Sequence, residues 1–149
     1  MSPLGVLISL GLACWSTIFL GLRNRWIRQE DIFEYAINQL LDGCESECVV
    51  IIARSEYLSD EELLELISKQ MEMTDCVADT DKWRLAFLLC LDALNDSDEN
   101  KINRLQEIYA DFDYPEDMAS CSIYSQDDVG PLVAMNRVVE RLKERFLLR

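Results

Sequence analysis

The sequence predicts an all-α fold, with residues 1–149 forming a single domain of about seven or eight antiparallel helices. Three observations carry that expectation. Apolar side chains recur at helical spacing in one segment after another. Capping residues stand ahead of several of those segments. Only Val49-Val50-Ile51-Ile52 reads as a buried strand, and the chain offers no second strand candidate to pair with it. The short links between segments suit antiparallel neighbours. Helix–turn–helix units recur without a fixed period, so an irregular α-solenoid fits the pattern too. Five glycines and three prolines leave no linker that would divide the chain.

The first segment poses a choice. No charge falls from Pro3 to Leu22, a run of 20 residues, which is long enough to span a bilayer. The run makes a poor signal peptide because nothing positive precedes it. Gly5, Ser9, Gly11, Ser16, Thr17 and Gly21 dilute it, and Trp15 sits in its middle. Two short buried helices are therefore expected instead of a membrane anchor. Leu4, Val6, Leu7, Ile8 and Leu10 fill the first, with Gly11 as its stop; Ser16 caps the second, which runs through Ile18, Phe19 and Leu22.

Helix follows helix after that. Arg28-Gln29-Glu30-Asp31 opens an amphipathic run whose apolar stripe is Ile32, Phe33, Ala36, Ile37, Leu40 and Leu41, and Gly43 ends it. Ser46 opens a short helix over 47–55. Ser59-Asp60-Glu61-Glu62 is a capping box for a helix that turns Leu63, Leu64, Leu66, Ile67 and Met71 inward. Trp83 to Leu94 is apolar nearly all round, as in a helix covered on several sides. Ser97-Asp98-Glu99 caps the next helix, with Ile102, Leu105, Ile108 and Tyr109 inside. Pro115 marks a bend, and Glu116 and Asp117 suit the first turn of a short helix. Gly130-Pro131 introduces the last helix, whose inner face is Leu132, Met135, Val138, Val139, Leu142 and Phe146.

Charge bounds the function. The chain has 28 acidic and 14 basic side chains, no histidine and a formal charge of −14. Residues 29–128 hold 26 acids against six bases, while 1–28 and 129–149 each carry +3. Such a field draws in basic partners and repels nucleic acid. Without histidine the chain lacks the commonest general base and the commonest metal ligand. Ser120-Cys121-Ser122 therefore has nothing of that kind to activate it. No C-x-x-C pair occurs among the six cysteines, and Cys14 and Cys90 lie in apolar runs. Free thiols in a reducing cytosol are expected, with no zinc site. The expected protein is a binder, not an enzyme, with no cofactor, metal, nucleic acid or membrane partner.

The densest polar cluster is Tyr109-Ala110-Asp111-Phe112-Asp113-Tyr114-Pro115-Glu116-Asp117. Its carboxylates lack the spacing of an EF-hand. Rings interleaved with acids suit a protein interface, because tyrosine buries area at low entropy cost and carboxylates grip Arg and Lys. Tyr109, Asp111, Phe112, Asp113, Tyr114, Glu116 and Asp117 are thus the candidate binding residues. Asp60, Glu61 and Glu62 are secondary contributors, and Glu45, Glu47 and Glu56 form a reserve acidic surface.

The segment L-Q-E-I-Y-A-D-F-D-Y-P-E-D-M-A-S-C-S-I-Y, Leu105 to Tyr124, resembles the signature of a bacterial family of small acidic proteins catalogued as a domain of unknown function. F-L-G-L-R-N-R-W-I-R-Q-E-D-I-F-E-Y-A, Phe19 to Ala36, fits the same pattern, and the Trp83 helix and the closing helix follow in order. In size and acidity the family is similar to immunity proteins of contact-dependent inhibition and other polymorphic toxin systems. The resemblance implies a cytoplasmic immunity protein that binds and neutralises a cognate toxin domain, such as a basic nuclease. The alternatives are an acidic interaction adaptor, or a protein anchored in a membrane through residues 3–22.

Overall fold

The computed structural model describes residues 2–54, 58–71, 76–126 and 128–147, with the side chains of Cys76 and Val77 left aside. Among them the chain is all-α. The helices are α1 (Pro3–Ser9), α2 (Trp15–Arg23), α3 (Gln29–Leu41), α4 (Glu47–Arg54), α5 (Asp60–Ser68), α6 (Cys76–Asp92), α7 (Asp98–Asp111) and α8 (Pro131–Leu147), with a short 3-10 turn at Glu116–Cys121. The chain packs as two compact units. One comprises residues 1–12 and 81–149, the other residues 13–80, and α6 runs from the second into the first.

The discontinuous unit is built on α6. Its side chains Trp83, Leu85, Ala86, Leu88 and Leu91 are buried, which is why this helix is apolar on nearly every side. Leu85, Leu88 and Leu91 share a core with Leu105 of α7, Met118 and Cys121 of the 3-10 turn, and Met135, Val138, Val139 and Leu142 of α8. Leu10 and Leu12, just past α1, pack against the same core. Truncating Leu88 or Leu105 to Ala would leave a hole costing about 2–5 kcal/mol.

The continuous unit pairs α3 with α4, α2 with α5, and α4 with α5. Ile18, Leu22, Ile32, Ala36, Val49, Ile52, Leu63 and Ile67 fill its interior. The Tyr35 ring meets Trp15 edge-on, with centroids 4.9 Å apart. Ser59 accepts from the Glu62 amide at 3.2 Å, which fixes the start of α5.

Four helices end in the same way. After α1, α2, α3 and α7, the residues Gly11, Arg25, Gly43 and Asp113 take positive φ. In each case this residue's amide returns to a carbonyl three back, and the following amide to one five back. This is the Schellman motif, which satisfies carbonyls left over at a helix end. Gly11 and Gly43 were legible as stops because glycine alone takes this conformation without a Cβ penalty. Arg25 and Asp113 carry no such signal.

Several expectations need correcting. Cys14, not Ser16, is the N-cap of α2; its amide donates to the Thr17 hydroxyl at 3.3 Å. Thr17 in turn donates to buried Asp79 at 3.3 Å, a contact 62 residues away in the chain. Ser16 is buried one position inside the helix. Ile8, Ile37 and Leu41 fall on apolar stripes that the spacing turns inward, yet all three are exposed, Leu41 at 79%. Tyr35 is buried in their place. Helix α6 starts at Cys76 rather than Trp83, because Asp79 finds a partner inside the fold instead of ending the helix in water. Met71 lies beyond the end of α5.

Candidate functional site

The exit of α7 shapes the acidic–aromatic segment. Phe112 closes the helix, and Asp113 and Tyr114 follow with φ of 59° and 52°. The Tyr114 amide donates to the Tyr109 carbonyl at 2.9 Å. Their rings meet edge-on at 5.1 Å, the apolar clasp that accompanies a Schellman ending. The rings then divide. Tyr109 packs against the core, Phe112 lies 5.8 Å from Phe87, and Tyr114 stays 61% exposed. Tyr124 is 87% exposed on the loop beyond. Asp111, Asp113 and Glu116 are exposed around Tyr114 in sequence.

Asp117 is held differently. Its carboxylate pairs with the Arg84 guanidinium, which also donates to Asp81 at 3.0 Å. Arg145 of α8 closes onto the other oxygen of Asp81. Arg84 is only 5% exposed, so this network ties α6, the 3-10 turn and α8 together. In sequence Asp117 is one of four clustered carboxylates with Asp111, Asp113 and Glu116, and only its contact with Arg84 sets it apart.

A cavity of about 300 Å³ adjoins the segment. Its apolar wall is Phe87, Leu91, Leu94 and Ile108, and Glu107, Asp111 and Arg104 stand at it. Of these only Asp111 was among the candidates read from the sequence. Glu107 and Asp111 are four apart on α7, so they share a face, and that spacing could have revealed the pair. The arrangement suits an inserted apolar side chain with a basic neighbour, since partners anchor apolar groups in pockets and set charges at the rim.

Asp60, Glu61 and Glu62 lie exposed in the first turn of α5, in the other unit. Asp60 accepts from the Gln29 side chain at 2.6 Å, and Glu62 from the Ser59 hydroxyl at 3.2 Å. Glu45 and Glu47 are exposed; Glu56 lies outside the described residues.

The thiols Cys14, Cys44, Cys48, Cys90 and Cys121 are not joined in disulfides. Burial, with the Asp117 carboxylate adding to it, pushes the Cys121 thiol up to about 11. It is therefore protonated, and a weak nucleophile, at neutral pH. Among the described residues no three Cys, Asp or Glu side chains gather as a metal-ligand set. No described helix is long and apolar enough to cross a membrane.

Helices without strands among the described residues, together with the excess of carboxylates in the sequence, define an acidic all-α protein. The chain belongs to the family described as an uncharacterized protein conserved in bacteria (DUF2247), which matches residues 8–147. No curated protein and no solved structure matches it.

Proposed function

We propose that the chain is a non-enzymatic immunity protein of the bacterial cytoplasm, which binds a cognate basic toxin domain and blocks its active site or substrate surface. The observation that carries this reading is the pocket of apolar side chains from α6 and α7 that Glu107, Asp111 and Arg104 also line, followed in the chain by exposed Asp113, Tyr114 and Glu116. A formal charge of −14 supports it, because an acidic inhibitor is steered to a basic cleft and competes there with nucleic acid. An apolar side chain of the toxin fills the pocket, and its Arg and Lys meet the rim.

The test begins with the gene directly upstream, whose product should be toxic alone and should co-purify with this protein, without detergent. Asp111→Asn, Asp113→Asn and Glu116→Gln together remove three charges and keep the shape. Affinity for the co-purified partner should fall about tenfold, chiefly through slower association, and its salt dependence should flatten. Unchanged affinity and salt slope in a variant of unchanged melting temperature would remove this surface from the interface. A non-toxic neighbour that does not bind would remove the immunity reading itself.

A further inference from the structure

The two bases that interrupt the acidic stretch from residue 29 to residue 81 are Arg54 and Lys69. They line the same groove. It lies in the continuous unit between α4 and α5, has a volume of about 580 Å³, and takes its floor from Val50, Ile51, Leu58 and Leu66. Glu62 and Glu65 complete its rim. Ile51 is 49% exposed there, an apolar side chain left uncovered on a helix whose Val49 and Ile52 are fully buried. Among the described residues neither Arg54 nor Lys69 has a carboxylate within ion-pair distance.

The charges have an order. Five residues join the end of α4 at Arg54 to the start of α5 at Asp60. Arg54 ends α4, Lys69 is the C-cap of α5, and Glu62 and Glu65 lie between them in sequence on α5. Helices of eight and nine residues give a groove about 12–14 Å long. About two and a half turns of a third helix have that length, and their anchors at i, i+3 or i+4 and i+7 would cover the floor.

We propose that this groove is a second docking surface, distinct from the carboxylate-rimmed pocket, and that it takes an amphipathic helix of a partner protein. The helix lays an apolar stripe on Val50, Ile51, Leu58 and Leu66. Acidic side chains at its two ends meet Arg54 and Lys69, and basic ones between them meet Glu62 and Glu65. Charge complementarity selects this occupant over a simple anion, which Glu62 and Glu65 would repel, and over a simple cation, which Arg54 and Lys69 would repel. The proposal stands on its own observations and does not depend on the toxin.

Two labelled peptides of about 16 residues, long enough to populate a helix, test it against the full chain by fluorescence anisotropy. Both carry one leucine stripe. The first has acids at the ends and lysines between, and the second has every charge reversed. The first should bind about tenfold tighter. Ile51→Asp should abolish its binding. Arg54→Glu with Lys69→Glu leaves the floor intact and should erase the preference, because the groove's ends then favour the second peptide while Glu62 and Glu65 still favour the first. Equal binding of both peptides by the unaltered chain, or a preference unmoved by the charge swap, overturns the proposal. Binding of dodecanoate that Ile51→Asp abolishes, with neither peptide bound, makes the groove a small-amphiphile site and overturns it as well. So does a concentration-dependent dimer disrupted by Ile51→Asp, which makes the occupant a second copy.

Discussion

Asp117 shares the Arg84 guanidinium with Asp81, and Arg84 is almost wholly withdrawn from water. Replacing Asp117 by Asn should cost about 1–3 kcal/mol, because a buried cation loses one of two charged acceptors. Asp111→Asn, whose side chain is exposed, should cost almost nothing. Urea midpoints compare the two directly, and equal midpoints would deny the network its stabilising role. A second prediction concerns alkali. Burial raises Tyr35 from 10.0 to about 12, and Cys121 from 9.0 to about 11. Each folded value exceeds the unfolded one, so the unfolded chain releases its proton first and stability falls as pH rises. The loss should begin near pH 9 with Cys121 and continue from 10 to 12 with Tyr35. Tyr35→Phe should flatten the upper part of urea midpoints plotted against pH, and an identical curve would remove Tyr35 as the cause. Neither Asp117 nor Arg84 was legible as special in the sequence. The two lie 33 residues apart, and no local pattern records such a contact.

Caps and turns made the elements legible. Ser59, Ser97 and Pro131 stand where α5, α7 and α8 begin, since side-chain oxygens and a fixed φ act over three or four residues. The start of α6 is hidden in the sequence because Asp79-Thr80-Asp81-Lys82 is wholly polar, and what holds it in the helix, Thr17 beside Asp79 and Arg84 beside Asp81, shows only in the fold. The Schellman endings give an element-scale prediction. A Cβ built on Gly43 meets nothing within 4 Å, yet its φ is +102°. Gly43→Ala should therefore cost about 1 kcal/mol from backbone strain alone. Asp113→Gly should gain about 0.5–1 kcal/mol by relieving the same strain where an aspartate bears it. Thermal melts decide both, and a Gly43→Ala variant as stable as the parent would contradict the strain argument.

For the whole molecule, composition was the better guide to class and pattern the better guide to architecture. Half of the chain is apolar, and that set the core against the acidity. The pocket at Glu107 and the groove at Ile51 were not legible, because each is made where two helices meet. The carboxylates that rim them resemble those on any solvated helix face. What distinguishes Asp111 from Asp98 is the apolar wall next to it, and two side chains of that wall, Phe87 and Leu91, come from α6, about twenty residues earlier in the chain.

The discontinuous unit imposes an order in time. Its first piece, residues 1–12, leaves the ribosome before the 68 residues of the other unit and the 69 that complete its own core. At roughly 5–20 residues per second, α1 waits several seconds for the helices that cover Leu10 and Leu12. During that wait its apolar side chains are open to chaperones, while residues 13–80 can already close. A nascent chain stalled with residue 100 just outside the ribosomal exit should thus protect α2–α5 from protease and leave α1 open to cleavage; protection of both at that length would refute the sequence of events.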